Sequence, residues 1–180
     1  DLRESYRRER EQEKERYRSE IIGYHGSDEG IGTDISYRLL SIGNRTDSTT
    51  FAYEVGYTLD GHVKKAGPNL VLAAGRLIGS QLEFKGEQRQ RREDIYWEMP
   101  RSYGWDITVR LPEGLEKLNM KVENECGAFT AQATTGNGVL TIKAEKRFEH
   151  KMEPVENWEK LLEIIDAAKA YEGLSVVLKK

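Results

Sequence analysis

The sequence contains one cysteine, Cys126, so it cannot form an internal disulfide. It has no apolar run near the length of about 18 residues that a membrane-spanning helix needs. It has no excess of one charge either, because 28 Lys and Arg residues balance 31 Asp and Glu residues to a net charge of −3. Nucleic-acid binding needs a basic surface. The sequence therefore argues against a disulfide scaffold, membrane insertion and a nucleic-acid partner.

Residues 1–27 differ in composition from the rest of the chain. Arg, Lys and Glu dominate residues 1–20, which contain neither Gly nor Pro, and opposite charges recur at the spacing that lets them meet on a helix. The apolar stripe of this predicted helix consists of Leu2, Tyr6, Tyr17 and Ile21. Because the stripe is thin, we expect the helix to gain little from packing. A solvated connector is the first interpretation, and a helix that docks a partner is the alternative.

Alternation with a period of two dominates residues 28–180. Every second residue is apolar in residues 51–59 and again in residues 103–111, which places those side chains on one face of a strand. The dipeptides Asp60-Gly61 and Asn137-Gly138 are typical of tight hairpin turns between antiparallel strands. The pattern predicts a mainly β fold, an antiparallel β-sandwich of about eight or nine strands.

The end of the chain carries an amphipathic helix pattern. Pro154 suits a first helical turn, apolar residues follow at three- and four-residue spacing, and Gly173 ends the pattern. We predict a packed C-terminal helix over residues 154–172 and a final strand over residues 174–179. The predicted organisation is thus a charged helix or connector at 1–27 and a β-sandwich domain at 28–180.

An aromatic ribbon lies near the middle of the sequence, and we expect a second sheet to cover it. Alternation places Trp97, Tyr103 and Trp105 on its inward face. Tyr96 has the opposite parity from Ile95 and Trp97, so its ring is predicted to face solvent. Tyr96 is therefore the candidate surface-contact residue.

A basic stretch, residues 85–92, lies between two strand patterns. It contains Glu87 and has no interleaved aromatic residues of the kind that stack on nucleic-acid bases. It is interpreted as a solvated hairpin tip, and an anion or nucleic-acid contact is the alternative.

Catalytic and metal-binding patterns are poor. Cys126 ends a strand pattern and is predicted to be a buried structural thiol rather than a nucleophile, which would need a helix N-terminus and a nearby histidine. His25, His62 and His150 lack metal-ligand spacing. The acidic residues of the Gly-rich loop, Asp28, Glu29 and Asp34, lack the ligand pattern of an EF-hand. No catalytic, cofactor-binding or metal-ligating residue is predicted, and we expect no enzyme activity.

Several turn and packing motifs recur together in a known arrangement. They are the ribbon Ile95–Pro100 with Tyr103, the turn Leu111–Gly114, the strand start Gly127–Phe129, the turn Gly136–Gly138 before Leu140, and the terminal segment Val176–Lys180. Their order resembles the C-terminal domain of unknown function that follows the transglutaminase-like core in many secreted bacterial proteins. The resemblance covers about residues 80–180 and is looser over residues 1–80.

The resemblance implies a non-catalytic accessory domain that braces or positions the transglutaminase-like core of the same chain. It also implies a periplasmic, extracellular or cell-surface location. The Cys-His-Asp triad of that core has no counterpart in these residues, so its activity is not carried over. The alternative is a free-standing β-sandwich module that binds a glycan or a peptide through an exposed aromatic or a sheet edge.

Overall fold

The structure is a computed structural model, and it describes residues 2–27, 30–41, 52–97, 102–110 and 118–178, with the backbone alone for residues 2–7 and 10. By their contacts, the residues group into two units, Asp1–Gly61 and His62–Lys180. The predicted domain limits, 1–27 and 28–180, stay a prediction. The motif residues 98–100, 111–114 and 179–180, and the loop residues Asp28 and Glu29, lie outside the described ranges.

The described residues form two α-helices and eleven strands. In chain order these are α1 (Leu2–His25), β1 (Ile31–Ser41), β2 (Ala52–Leu59), β3 (Val63–Ala66), β4 (Asn69–Leu72), β5 (Ile95–Tyr96), β6 (Ser102–Arg110), β7 (Met120–Asn124), β8 (Gly127–Gly136), β9 (Val139–Phe148), β10 (Met152–Glu153), α2 (Trp158–Glu172) and β11 (Val176–Leu178). Short 3₁₀ helices span Ala74–Ile78, Gly86–Arg89 and Val155–Asn157. The prediction of a mainly β, antiparallel fold with a helix at each end is confirmed. The strand number was underestimated, because strands of two to four residues carry too little alternation to detect.

In the first unit, α1 packs on the hairpin formed by β1 and β2. Tyr17 and Ile21 are buried, and the Tyr17 ring stacks on Tyr37 with 3.9 Å between ring centroids. The expectation that this helix gains little from packing is therefore wrong for its C-terminal half. The side chains of Leu2 and Tyr6 lie outside the described residues.

The second unit is built around a four-stranded antiparallel sheet in the order β6-β9-β8-β7. Asn137, with φ of 51°, and Gly138 turn the chain between β8 and β9, which confirms the predicted hairpin. The hairpin predicted at Asp60-Gly61 is wrong, because β2 pairs with β1 while β3 pairs with β4. Val63 alone supplies an apolar side chain at the start of β3, so the segment has no alternating face to match β2.

Helix α2 supplies the layer that packs against β7 and β8. Its buried residues are Trp158, Leu161, Leu162, Ile164, Ile165, Ala167, Ala168 and Tyr171. The Tyr171 ring meets Phe129 of β8 edge to face, with 5.6 Å between centroids. Each large apolar side chain buried in this way contributes about 1.5–3 kcal/mol. The interface between α2 and the sheet is therefore the main core of the unit.

The segment from residue 85 to residue 92 is not a hairpin tip. It contains the 3₁₀ helix Gly86–Arg89, and the Arg89 guanidinium donates two hydrogen bonds, of 2.9 and 2.7 Å, to the Asp166 carboxylate of α2. The Trp158 indole N–H donates to the Arg89 carbonyl at 2.6 Å. A bidentate pair with an added backbone contact fastens this segment onto the helix.

The aromatic ribbon lies on the predicted face but is only half-buried. Trp97 stacks on Phe148 at 4.5 Å between centroids, and Tyr103 stacks on Trp105 at 6.2 Å. Trp97 and Trp105 pack against the core cluster. Tyr103 and Trp105 lie on β6, the first strand in the order of its sheet, where a strand has one neighbour instead of two. Their partial exposure follows from that position.

At Gly75 the 3₁₀ helix Ala74–Ile78 approaches the end of α2 closely. A Cβ atom at this position would lie 1.8 Å from the Tyr171 carbonyl oxygen, so the two segments would have to separate. We expect Gly75→Ala to lower the free energy of unfolding by about 2–4 kcal/mol in urea denaturation. Gly104→Ala is the matched control, since nothing lies within 4 Å of its Cβ position. Equal stability of the two variants would contradict this account.

Candidate functional site

The predicted contact residue Tyr96 lies on the two-stranded ladder of β5 and β10. Tyr96 pairs with Met152, and Ile95 pairs with Glu153. Because side chains alternate along a strand, one pair faces out and the other faces in. Tyr96 and Met152 are 52% and 59% exposed, whereas Ile95 and Glu153 are 6% and 1% exposed. Two large apolar side chains therefore lie side by side at the surface.

Lys151 completes this surface, which we call the Tyr96 patch (Tyr96, Lys151 and Met152). The Lys151 ammonium lies over the Tyr96 ring, 5.1 Å from its centroid. A cation in this position is attracted by the electron-rich face of the ring. One face of the ring is thus already occupied, while the Met152 side chain beside it stays exposed. The patch offers apolar contact area and one positive charge, without a nucleophile or a general base.

Glu153 holds the inner side of the ladder in place. Its carboxylate accepts a hydrogen bond from the Asn157 amide at 2.5 Å and lies 2.9 Å from Nδ1 of His150. Burial alone would raise the pKa of Glu153, but the hydrogen bonds from Asn157 and His150 outweigh it and lower the pKa below its usual range. A buried carboxylate is tolerated only when such partners satisfy it. Glu153 therefore fixes β10 and, through the alternation of the strand, presents Met152 outward.

Cys126 lies beside this carboxylate and is fully buried. Its Sγ atom is 3.9 Å from the Asn157 carbonyl oxygen. Burial, followed by the negative charge and the hydrogen bond of Glu153, raises the pKa of the Cys126 thiol to about 11. A nucleophilic cysteine needs the opposite environment, one that stabilises the thiolate. The geometry keeps this thiol protonated at neutral pH.

Lys146 is a buried cation that sequence reasoning did not single out. It is 9% exposed, and its ammonium donates to the Gln81 side-chain carbonyl at 2.7 Å and lies 5.1 Å from the Tyr103 ring centroid. Burial lowers the pKa of Lys146. The sequence does indicate that the Lys146 side chain points inward, because Lys146 shares the parity of the inward residues Ala144 and Phe148. Its partner could not be inferred, since Gln81 lies 65 residues away in the sequence.

A shallow groove of about 860 Å³ runs across β7, β8 and β9. Polar side chains such as Gln132 and Thr134 line it, together with charged residues, of which Lys121, Glu123 and Arg147 pair with one another. Lys121 and Arg147 lie 3.0 and 3.2 Å from Glu123, and Lys121, with Arg147 to a smaller extent, lowers the pKa of its carboxyl group. The lining offers hydrogen bonds and balanced charge, and no side chain in it is prepared for nucleophilic chemistry.

Three other side chains with metal-ligating groups, His25, His62 and Asp34, lie among the described residues. His25 contacts the Tyr57 hydroxyl at 2.7 Å, and burial lowers the pKa of the half-buried His62. Asp34 lies exposed on β1. Within the described ranges, no group of three or more His, Cys, Asp or Glu residues is arranged to hold a metal ion. None of the helices described has the length and apolar character needed to cross a bilayer.

Replacing Glu153 tests its role in the ladder. We expect Glu153→Gln to lower the free energy of unfolding at pH 7 by about 1–3 kcal/mol, because the charged acceptor of two hydrogen bonds is lost. A lowered carboxyl pKa stabilises the fold above the unfolded value of about 4.3 and ceases to do so as pH falls through the folded value. The difference between wild type and variant in urea denaturation should therefore shrink below about pH 4. The exposed Glu156→Gln is the control, and a pH-independent difference would contradict the account.

The state of Cys126 is tested by alkylation. Because its pKa is raised to about 11, the folded thiol should react with iodoacetamide at pH 8 at least about a hundredfold more slowly than the same thiol in denaturant. The folded rate should increase as pH approaches 11, since the thiolate form then becomes populated. Mass spectrometry of the alkylated chain measures both rates. Rapid stoichiometric labelling of the folded protein at neutral pH would contradict the assignment of an inert thiol.

Comparison with models of protein families, with curated proteins and with solved structures finds no match for this chain. The resemblance to the domain that follows transglutaminase-like cores therefore rests on the residues quoted from the sequence. The function is inferred from those residues together with the geometry of the Tyr96 patch and of Cys126.

Proposed function

We propose that this chain is a non-catalytic accessory domain that contacts a neighbouring protein domain through the Tyr96 patch. In keeping with the resemblance, the neighbour would be a transglutaminase-like core of the same protein, which the accessory domain braces or positions. The same resemblance favours a periplasmic or cell-surface location in a bacterium. The observation that carries the proposal is the outward position of Tyr96 and Met152 beside the buried Ile95 and Glu153.

The composition of the Tyr96 patch supports a protein partner. Tyrosine and methionine are enriched in the centres of protein interfaces, where a few large side chains supply most of the binding free energy. The backbone of Tyr96 and Met152 is held in a strand pair whose inner residues are buried, so little backbone freedom is lost on binding. An apolar pair with a phenol hydroxyl at one end suits a contact that is partly dry and partly hydrogen-bonded.

The surroundings of the reactive side chains support a non-catalytic role. The Cys126 thiol lies next to a carboxylate, which disfavours the thiolate that a transferase or hydrolase would use. The Lys146 amine is engaged by Gln81. Neither residue lines the groove across β7, β8 and β9. The described residues thus offer surfaces for contact where an enzyme would offer an activated group.

The alternative is a module that binds a glycan on Tyr96. A sugar ring stacks on a bare aromatic face, and the Lys151 ammonium already lies over one face of Tyr96. Stacking there would have to displace this cation. The contact with a protein domain needs no such displacement, so it is the preferred function.

The proposal is tested with Tyr96→Ala. Because the ring is 52% exposed, the variant should keep the thermal stability of the wild type while losing apolar contact area at the interface. We expect its affinity for a separately produced transglutaminase-like core, measured by calorimetry, to fall at least about tenfold. Met152→Ala should weaken the same association.

Leu82→Ala is the matched control, since Leu82 is an exposed apolar residue outside β5 and β10. It should leave the affinity for the core unchanged. The same three variants are titrated against a polysaccharide array. Glycan binding that disappears in Tyr96→Ala, with no measurable affinity of the wild type for the core domain, would overturn the accessory-domain proposal and establish the alternative.

A further inference from the structure

We propose that two copies of this chain associate through strand β6, pairing antiparallel with Thr108 opposite Thr108 of the second copy. The proposal goes beyond contact through the Tyr96 patch and rests on different residues. In the sheet order β6-β9-β8-β7, the second edge of β6 has no partner strand among the residues that the structure describes. About half of the backbone N–H and C=O groups of a strand point toward each edge. The outer edge of β6 therefore offers a row of such groups for pairing.

Strand β6, as the structure describes it, lacks four of the features that protect edge strands against association. Proteins block edges with proline, with inward-pointing charges, with bulges or with very short strands. Residues Ser102–Arg110 contain no proline and no inward charge, and all nine residues pair with β9 without a register shift. The strand is thus long, regular and ready to accept another strand.

The core-facing side chains of β6 are only partly covered within the single chain. Trp105, Ile107 and Val109 are half-buried although they pack against the hydrophobic core. The next strand inward, β9, carries Leu140 and Ile142 in the same layer, and these are fully buried. A second copy of β6 centred on Thr108 would cover Ile107 and Val109 with apolar side chains of matching parity. The occupant is thus expected to alternate as β6 itself does.

The charges on the outward face single out a second copy of β6 as that occupant. With Thr108 on the two-fold axis, Asp106 lies directly opposite Arg110 of the second copy, and the symmetry produces this pair twice. Ile107 lies opposite Val109 on the core side. Opposite charges and apolar residues directly across an antiparallel pair are favourable, as are paired threonines. Every residue from 106 to 110 therefore meets a complementary residue in this one register.

Within the single chain these two charges are weakly used. Asp106 lies 3.7 Å from Lys143, and both side chains are more than two-thirds exposed. Such exposed pairs contribute little. No ion pair to Arg110 occurs among the residues that the structure describes. Pairing between copies would give Arg110 a partner and Asp106 a second one, and would join two four-stranded sheets into one sheet of eight strands.

The association is tested by charge reversal and sedimentation velocity on the full 180-residue chain. A strand-edge contact buries less surface than a standard interface, so we expect a weak dimer whose population rises over about a hundredfold range of concentration. Asp106→Arg and Arg110→Asp should each raise the dimer dissociation constant at least about tenfold, because each places two like-charged pairs across the axis. Lys121→Glu on β7 is the matched control and should dimerise as the wild type does.

Two further samples make the register itself testable. The double variant Asp106→Arg/Arg110→Asp should regain wild-type dimerisation, because both pairs are restored with exchanged signs. An equimolar mixture of the two single variants should form a heterodimer, since the two arginines of the Asp106→Arg chain then meet the two aspartates of the Arg110→Asp chain. Circular dichroism confirms that each variant keeps its fold.

The proposal is overturned if the wild-type chain stays monomeric over the whole concentration range. The same holds if the monomer binds an extended peptide along β6 instead of a second copy. It is also overturned by a dimer that both single reversals leave intact, which would place the contact elsewhere. A mixture that associates no better than its components would exclude the Thr108 register.

Discussion

The packing of α2 against the four-stranded sheet is the constraint on which the larger unit depends. The helix buries its apolar side chains on β7 and β8, and Tyr171 in its last turn meets Phe129 of β8. The flanking segments are then attached to the same helix. Arg89 binds Asp166, and Gly75 approaches the Tyr171 carbonyl more closely than any other residue type could. Separating helix from sheet would therefore also disturb the segments that contain Arg89 and Gly75.

The buried polar side chains Glu153 and Lys146 each have a hydrogen-bond partner in this unit. Glu153 accepts from Asn157 and contacts His150, while Lys146 donates to Gln81. A buried charge that lost its partner would cost several kcal/mol. Each of these contacts therefore admits few alternative arrangements of its strand. For β10 the consequence reaches the surface, because a strand that holds Glu153 inward must turn Met152 outward.

The structural features that depend on residues close together in the sequence could be predicted from local patterns. The alternation of β6, the turn at Asn137-Gly138, the apolar stripe of α2 and the outward parity of Tyr96 all follow from neighbouring residues. Contacts between residues far apart in the sequence could not be predicted in this way. The segment containing Arg89 was interpreted as a solvated tip because Asp166 lies 77 residues away, and the inward position of Lys146 needed Gln81. The packing of Tyr17 on Tyr37 was missed for the same reason, since a thin stripe suffices when aromatic rings stack.

The two proposed contacts follow each other closely along the chain. Tyr96 and Ser102 are six residues apart, so even a fully extended connection keeps them within about 20 Å. A standard interface covers roughly 800 Å² on each partner, which is a patch of comparable width. A domain docked on the Tyr96 patch would therefore lie at the same corner of the sheet as the beginning of β6. Two associations that share a corner are thermodynamically linked, because each changes the affinity of the other by the same factor. The sign of that linkage depends on whether the docked domain covers the outer edge of β6. If it does, the core domain binds only the monomer and opposes self-association.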